Sequence, residues 1–123
     1  MAEKRIILFI DDDPVDRLLI HELLAQHDFH VLLAEDGFAG LKMARTENPV
    51  LILLDILLPG ISGIDICKKL KVDPATQNIP VIFYTSIDTP KDFIDYASWG
   101  AQDYIQKTMP PQELVAAIKA ILK

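Results

Sequence analysis

Cysteine is almost missing from this sequence: Cys67 is the single one in 123 residues, so no internal disulfide can form and a secreted disulfide scaffold is excluded. Long apolar runs are missing too. No unbroken run is longer than VLILL at 50–54, far short of the ~20 residues a membrane span needs. The opening MAEKRIILFI reaches Asp11 after too short an apolar segment for a signal peptide, which predicts a cytoplasmic protein with no membrane partner. An excess of positive charge is also lacking. Twelve Lys+Arg stand against 18 Asp+Glu, and a net charge of −6 offers no basic surface for a phosphate backbone, so direct nucleic-acid binding is not expected. Low-complexity tracts, internal repeats and linkers are absent, and the length suits one domain over 1–123 with no output domain.

What is present alternates regularly. Short β-rich runs at 5–10 (RIILFI), 29–34 (FHVLLA), 50–54 (VLILL), 81–84 (VIFY) and 103–105 (DYI) predict five strands. Runs such as IILFI and VLILL have no polar alternation, the pattern of parallel strands covered on both faces. Between them five helices are expected. The first, at roughly 14–26, has Asp13 as cap, Pro14 at its first position and Val15, Leu18, Leu19 and Leu23 along one face. The second starts near Asp36-Gly37 and sends Phe38, Leu41 and Ala44 toward the core before Asn48-Pro49. The third covers about 63–71. The fourth is expected from Asp88-Thr89-Pro90 to Gly100, and the fifth from Pro110-Pro111 to the end. This βα alternation predicts an α/β fold, a single doubly wound, five-stranded, mostly parallel sheet with helices on both faces.

In such sheets ligands bind beyond the carboxyl ends of the strands. Strand one delivers Asp11, Asp12 and Asp13; strand three delivers Asp55; strand four delivers Thr85 and Ser86; strand five is followed by Lys107. Two carboxylates about 5 Å apart repel by roughly 3 kcal/mol at an effective dielectric of 20, so this cluster calls for a cation and the lysine. Oxygen donors without His or Cys favour Mg²⁺, with Mn²⁺ possible and Ca²⁺ less suited. A metal, a carboxylate nucleophile and donors for the remaining charge make half of a phosphoryl-transfer centre. Asp13 is expected to serve as helix cap only. His21, His27 and His30 share no spacing that would aim two of them at one ion, and Cys67 reads as a small packed hydrophobe. Trp99 suits either core packing or a partner anchor.

The segments IILFIDDDPVDR at 6–17, LILLDILLPGISG at 51–63, VIFYTS at 81–86 and GAQDYIQK at 100–107 together resemble the receiver domain of two-component response regulators, in order and over nearly the whole chain. The resemblance implies a flavodoxin-like strand order of 2-1-3-4-5. It implies that Asp55 is the phosphoacceptor, taking a phosphoryl group from a sensor histidine kinase or histidine phosphotransfer protein. Asp12 and Asp55 would bind Mg²⁺ directly, Asp11 through water, and Leu57 through its backbone carbonyl. Lys107 and Thr85 would contact the phosphoryl oxygens, and Tyr104 matches the aromatic that turns inward when Thr85 moves. Such a domain is a phosphoacceptor signalling unit rather than an enzyme, catalysing only its own phosphorylation and dephosphorylation. It would signal to an effector protein through the face of the fourth helix, fifth strand and fifth helix.

The sequence departs from the family in three respects. Thr108 follows Lys107 where the family commonly has proline, often after a cis bond. Leu57 and Ile87 occupy positions that modulate phosphoryl lifetime, and neither can orient water, which predicts slow self-dephosphorylation. Asp103 and Glu113 fit the acidic half of a charged dimer signature, but Ala117 stands where its basic partner would be. Two other readings share part of the pattern: a receiver-fold scaffold that works without phosphorylation, and a Mg²⁺-dependent phosphohydrolase of the haloacid-dehalogenase type. The latter needs a second Asp where Leu57 stands. A flavin carrier is excluded by the acidic loop DDDPVDR, the opposite of a phosphate cradle.

Overall fold

The computed structural model describes residues 4–123; the first three residues of the opening segment lie outside the described residues. Five parallel strands, β1 (Arg5–Ile10), β2 (Phe29–Ala34), β3 (Leu51–Leu54), β4 (Val81–Thr85) and β5 (Asp103–Gln106), form one sheet in the order β2-β1-β3-β4-β5. Among the described residues four α-helices accompany them: α1 (Pro14–Ala25), α2 (Gly37–Glu47), α3 (Gly63–Val72) and α4 (Pro111–Ile121).

The all-apolar strands are covered on both faces. In β1, Leu8 and Ile10 join one core layer with α2 and α3, while Ile7 and Phe9 join the other with α1 and α4. Alternation continues in β3, where Ile52 and Leu54 face the first layer and Leu51 and Leu53 the second. Each fully buried Leu or Ile contributes about 1.5–3 kcal/mol relative to exposure, so register is strongly specified. Asp13 and Asp36 act as N-caps, accepting hydrogen bonds from Val15 N and Ala39 N, each at 2.8 Å.

Two helix faces differ from expectation. In α1 the core side is Ile20 and Leu24, while Val15, Leu18 and Leu19 are each about 60% exposed. The helix carries two apolar stripes at helical spacing, and only packing on the sheet selects one. In α2 Phe38 points outward, and the face against the sheet is the small-residue one, Gly37, Gly40 and Ala44. A side chain at Gly40 would overlap Ile10, so this helix lies against β1 because it lacks bulk there.

The expected helix between Asp88 and Gly100 is not an α-helix. A single 3₁₀ turn at Lys91–Phe93 ends at Ile94, whose extended dihedrals (φ −111°, ψ 123°) interrupt any helical ladder. Turns closed by i→i−3 bonds follow, Trp99 N to Tyr96 O and Gly100 N to Ala97 O. Local side-chain bonding and aromatic packing win over helical periodicity here: Ser98 Oγ donates to Asp95 O, Tyr96 stacks on Tyr104, and Trp99 meets Phe83 edge-on. Trp99 is thus packed on the core, half-buried, and Gly100 closes the segment at φ +96°. The expected face of fourth helix, fifth strand and fifth helix is therefore this irregular segment with β5 and α4. No helix among the described residues is long and apolar enough to cross a membrane.

Candidate functional site

Strand order reverses between β1 and β3, which opens a crevice beyond their carboxyl ends. Asp11 and Asp55 sit there, each fixed by a backbone bond from the first residue past its strand to a neighbouring strand: Asp11 N to Ala34 O at 3.0 Å and Asp55 N to Ile10 O at 3.1 Å. Both are buried, while Asp12 is exposed to solvent. Asp11, Asp12 and Asp55 each bring a carboxylate oxygen within 4.8 Å of the others.

Lys107 reaches this cluster from the far edge of the sheet. Its backbone N–H donates to Thr85 O at 2.8 Å, which ties the loop after β5 to the end of β4. The ammonium then lies 2.6 Å from Asp11 Oδ2, 2.6 Å from Asp16 Oδ2 and 3.0 Å from Asp55 Oδ2. Burial alone would lower the lysine pKa, but the three carboxylates outweigh it and hold the group firmly protonated. Asp11 shifts upward because burial costs its charged form more than Lys107 returns. Its Oδ2 is buried against the Lys107 ammonium, and its remaining lone pair has no other protein donor. With three carboxylates converging and a single ammonium against them, the cluster keeps excess negative charge on oxygen donors, and the residues fit a hard divalent cation such as Mg²⁺.

Asp55 Oδ1 accepts the Leu57 N–H at 3.2 Å, which sets the Leu57 peptide beside this carboxylate. The backbone stays close because α3 begins at Gly63, whose N–H donates to Ile56 O at 2.9 Å; a Cβ there would overlap the Asp55 carbonyl oxygen. Thr85 is buried at the end of β4, and its Oγ accepts from Ile87 N at 3.3 Å. Tyr104 points inward, with its hydroxyl donating to Ile87 O at 3.3 Å and Thr89 O at 3.1 Å. The bond from Lys107 to Thr108 is trans, so the lysine reaches the cluster through a loop unlike the family's common one.

Asp16 and Gln106 were missed by sequence reasoning. Asp16 looks like an ordinary acidic residue of a first helical turn, yet it is the third partner of Lys107. Its signal was its place one turn past the Asp13 cap, on the side of the helix that overlooks the strand ends. Cys67 is buried, with its thiol donating to Trp99 O at 3.2 Å, and His21, His27 and His30 are exposed, away from the cluster.

Comparison with known proteins agrees with this arrangement. The family model "Response regulator receiver domain" matches residues 7–119. PilH of Pseudomonas aeruginosa is 36% identical over 116 residues, covering 94% of this chain and 96% of PilH. The phosphate regulon transcriptional regulatory protein PhoB of Escherichia coli is 39% identical over 119 residues, 97% of this chain but 52% of PhoB, so the chain spans about half of that relative. Among solved structures, the BeF3-activated N-terminal receiver domain of Klebsiella pneumoniae RstA superimposes with a TM-score of 0.88 at 35% identity, covering 97% of this chain and 99% of the other. With a family match across nearly all its length and acidic, hydroxyl and lysine residues at the ends of the matching strands, this chain belongs to the response regulator receiver domains of two-component systems.

Proposed function

We propose that the chain receives a phosphoryl group on Asp55 from the phosphohistidine of a sensor histidine kinase or histidine phosphotransfer protein, and passes the signal to an effector protein by a conformational switch. The observation that supports it best is the three-way ion pair of Lys107. One ammonium pairs with Asp11, Asp16 and Asp55 together and offsets part of their charge, which places beside the acceptor carboxylate a cation that can follow the charge as it moves.

In this reading an Asp55 carboxylate oxygen attacks phosphorus as the P–N bond of the phosphohistidine breaks. The electron pair of that bond goes to the imidazole nitrogen, and the donor histidine departs as neutral imidazole because its other ring nitrogen already carries a proton. Lys107, already at Asp55 Oδ2, then pairs with the phosphoryl oxygens, and the Thr85 hydroxyl turns to donate to one of them. Asp12 and Asp55, with Asp11 through water and the Leu57 carbonyl, would hold Mg²⁺, which supplies charge neutralisation for the transferred group. The added charge of roughly −1.5 to −2 draws Thr85 inward, and Tyr104 and the segment after β4 respond. The effector-facing surface is that irregular segment with β5 and α4.

The test is intact-mass measurement after incubation with a small phosphodonor and Mg²⁺, beside Asp55→Ala and a chelator control. One phosphoryl adduct that needs both Asp55 and the metal supports the reading. No adduct on a folded, Mg²⁺-binding protein overturns it in favour of a scaffold that works without phosphorylation.

A further inference from the structure

The segment between β4 and the 3₁₀ turn has little backbone bonding of its own. Among the described residues no backbone donor reaches the carbonyl of Ile87 or of Thr89. Side chains of β5 supply the donors instead. Tyr104 and Gln106 stand two apart on the strand and so share one face. The Tyr104 hydroxyl donates to Ile87 O at 3.3 Å and Thr89 O at 3.1 Å; the Gln106 amide donates to the same two oxygens at 3.0 and 3.3 Å. The peptide chain that is clamped begins at the site, because Ile87 N donates to Thr85 Oγ. Gln106 also precedes Lys107 directly, whose N–H is bonded to Thr85 O. One amide therefore bridges the strand that delivers the lysine and the loop that follows the hydroxyl.

We propose that Gln106 is a positioning residue of the switch: its amide latches the segment after β4 to β5, and so holds Tyr104 inward before any phosphoryl group arrives. A phenol alone can supply one proton to two carbonyls, whereas the amide NH₂ has two. With both side chains in place the two carbonyls are satisfied while Tyr104 is inside. Without Gln106 the phenol is the remaining side-chain donor to these carbonyls, and the loop that presents them to the ring is free to move away. The consequence for chemistry follows from linkage and rests on the proposed phosphoacceptor function. If phosphorylation favours the inward ring, then a latch that favours the inward ring favours phosphorylation equally.

The experiment compares the wild type with Gln106→Met, which keeps the length of the side chain and removes both donors, and with Gln106→Glu, which keeps the shape and presents oxygens to the carbonyls. Aromatic NMR of the unphosphorylated protein reads the inward-to-outward ratio of Tyr104 from ring contacts with residues 87–89, and intact mass reads the rate of phosphoryl uptake from a small phosphodonor in Mg²⁺. The expected result is a shift toward the outward ring of about fivefold in Gln106→Met, the scale of one neutral hydrogen bond, and a larger one in Gln106→Glu. Phosphoryl uptake should fall in both in proportion to the inward fraction lost. An unchanged ring ratio in both variants overturns the latch, and a shifted ratio with unchanged uptake overturns its positioning role. Should the wild type take up no phosphoryl group at all, the proposed function fails, and the ring ratio still decides the latch.

Discussion

Lys107 shows how much one side chain can organise. Asp11 and Asp55 are buried, Asp16 is partly so, and all three converge on one ammonium whose side chain is only 13% exposed. Lys107→Ala would leave buried like charges without a counter-charge, and the expected cost is about 3 kcal/mol of stability at neutral pH. Mg²⁺ should return part of it by binding the same carboxylates. Urea unfolding of the variant with and without Mg²⁺ checks both halves, and a variant as stable as wild type in chelator would refute the electrostatic account. Cys67 is the opposite case, a titratable group with no part in the site. Burial pushes its thiol up to about 11 from 9.0. The folded state therefore keeps the proton longer than the unfolded state, and the stability this group contributes below pH 9 is lost as pH rises toward about 11. At neutral pH the native protein should resist alkylation, with Cys67 reacting at an ordinary rate only in denaturant.

Helices take their places here as much through missing bulk as through apolar stripes. Gly63 is required where α3 passes the Asp55 carbonyl, and Gly40 where α2 passes Ile10. Gly63→Ala is expected to destabilise by about 2–3 kcal/mol, since the obstacle is backbone that cannot rotate away, and to slow phosphoryl uptake by shifting Asp55. Thermal unfolding together with the intact-mass assay measures both effects. Ala at Gly60, where φ is +80° but the surroundings are open, should cost stability through backbone strain with far less effect on uptake. The third and fifth expected helices correspond to α3 and α4. The segment 94–100 could not be read correctly, because Phe93, Ile94, Tyr96 and Trp99 look helical in spacing while Tyr104 and Phe83, the partners of Tyr96 and Trp99, lie in separate strands.

For the molecule as a whole, three carboxylates within reach of one another, together with the proposed function, predict that a divalent cation binds the folded chain and not the unfolded one. Mg²⁺ should raise the melting temperature in a saturable way, with about 2.7 kcal/mol gained at a hundredfold excess over Kd, and Asp12→Ala should weaken the effect without loss of fold. Asp12 is the appropriate variant because it is exposed and lies outside the Lys107 network. Once formed, the phosphoryl group should persist for minutes rather than seconds in Mg²⁺ buffer, since the apolar Leu57 and Ile87 offer no group to orient an attacking water. Replacing Leu57 by a polar residue such as Asn should shorten that lifetime, measured as decay of the adduct by intact mass.

The five strands, to within a residue or so at each end, the doubly wound class and the residues that stand after the strands were all legible in the chain's local pattern. Uninterrupted apolar runs admit few alternatives to covered parallel strands, and an Asp directly after such a run must emerge at a strand end. Tertiary structure decided which of two apolar stripes α1 buries, that Phe38 faces outward, and that the segment before β5 is turns. It also decided that Asp16 joins Asp11 and Asp55 on Lys107, and that Gln106 shares its acceptors with Tyr104. These outcomes depend on contacts between residues far apart in the chain, whose energies no local pattern of spacing or propensity contains.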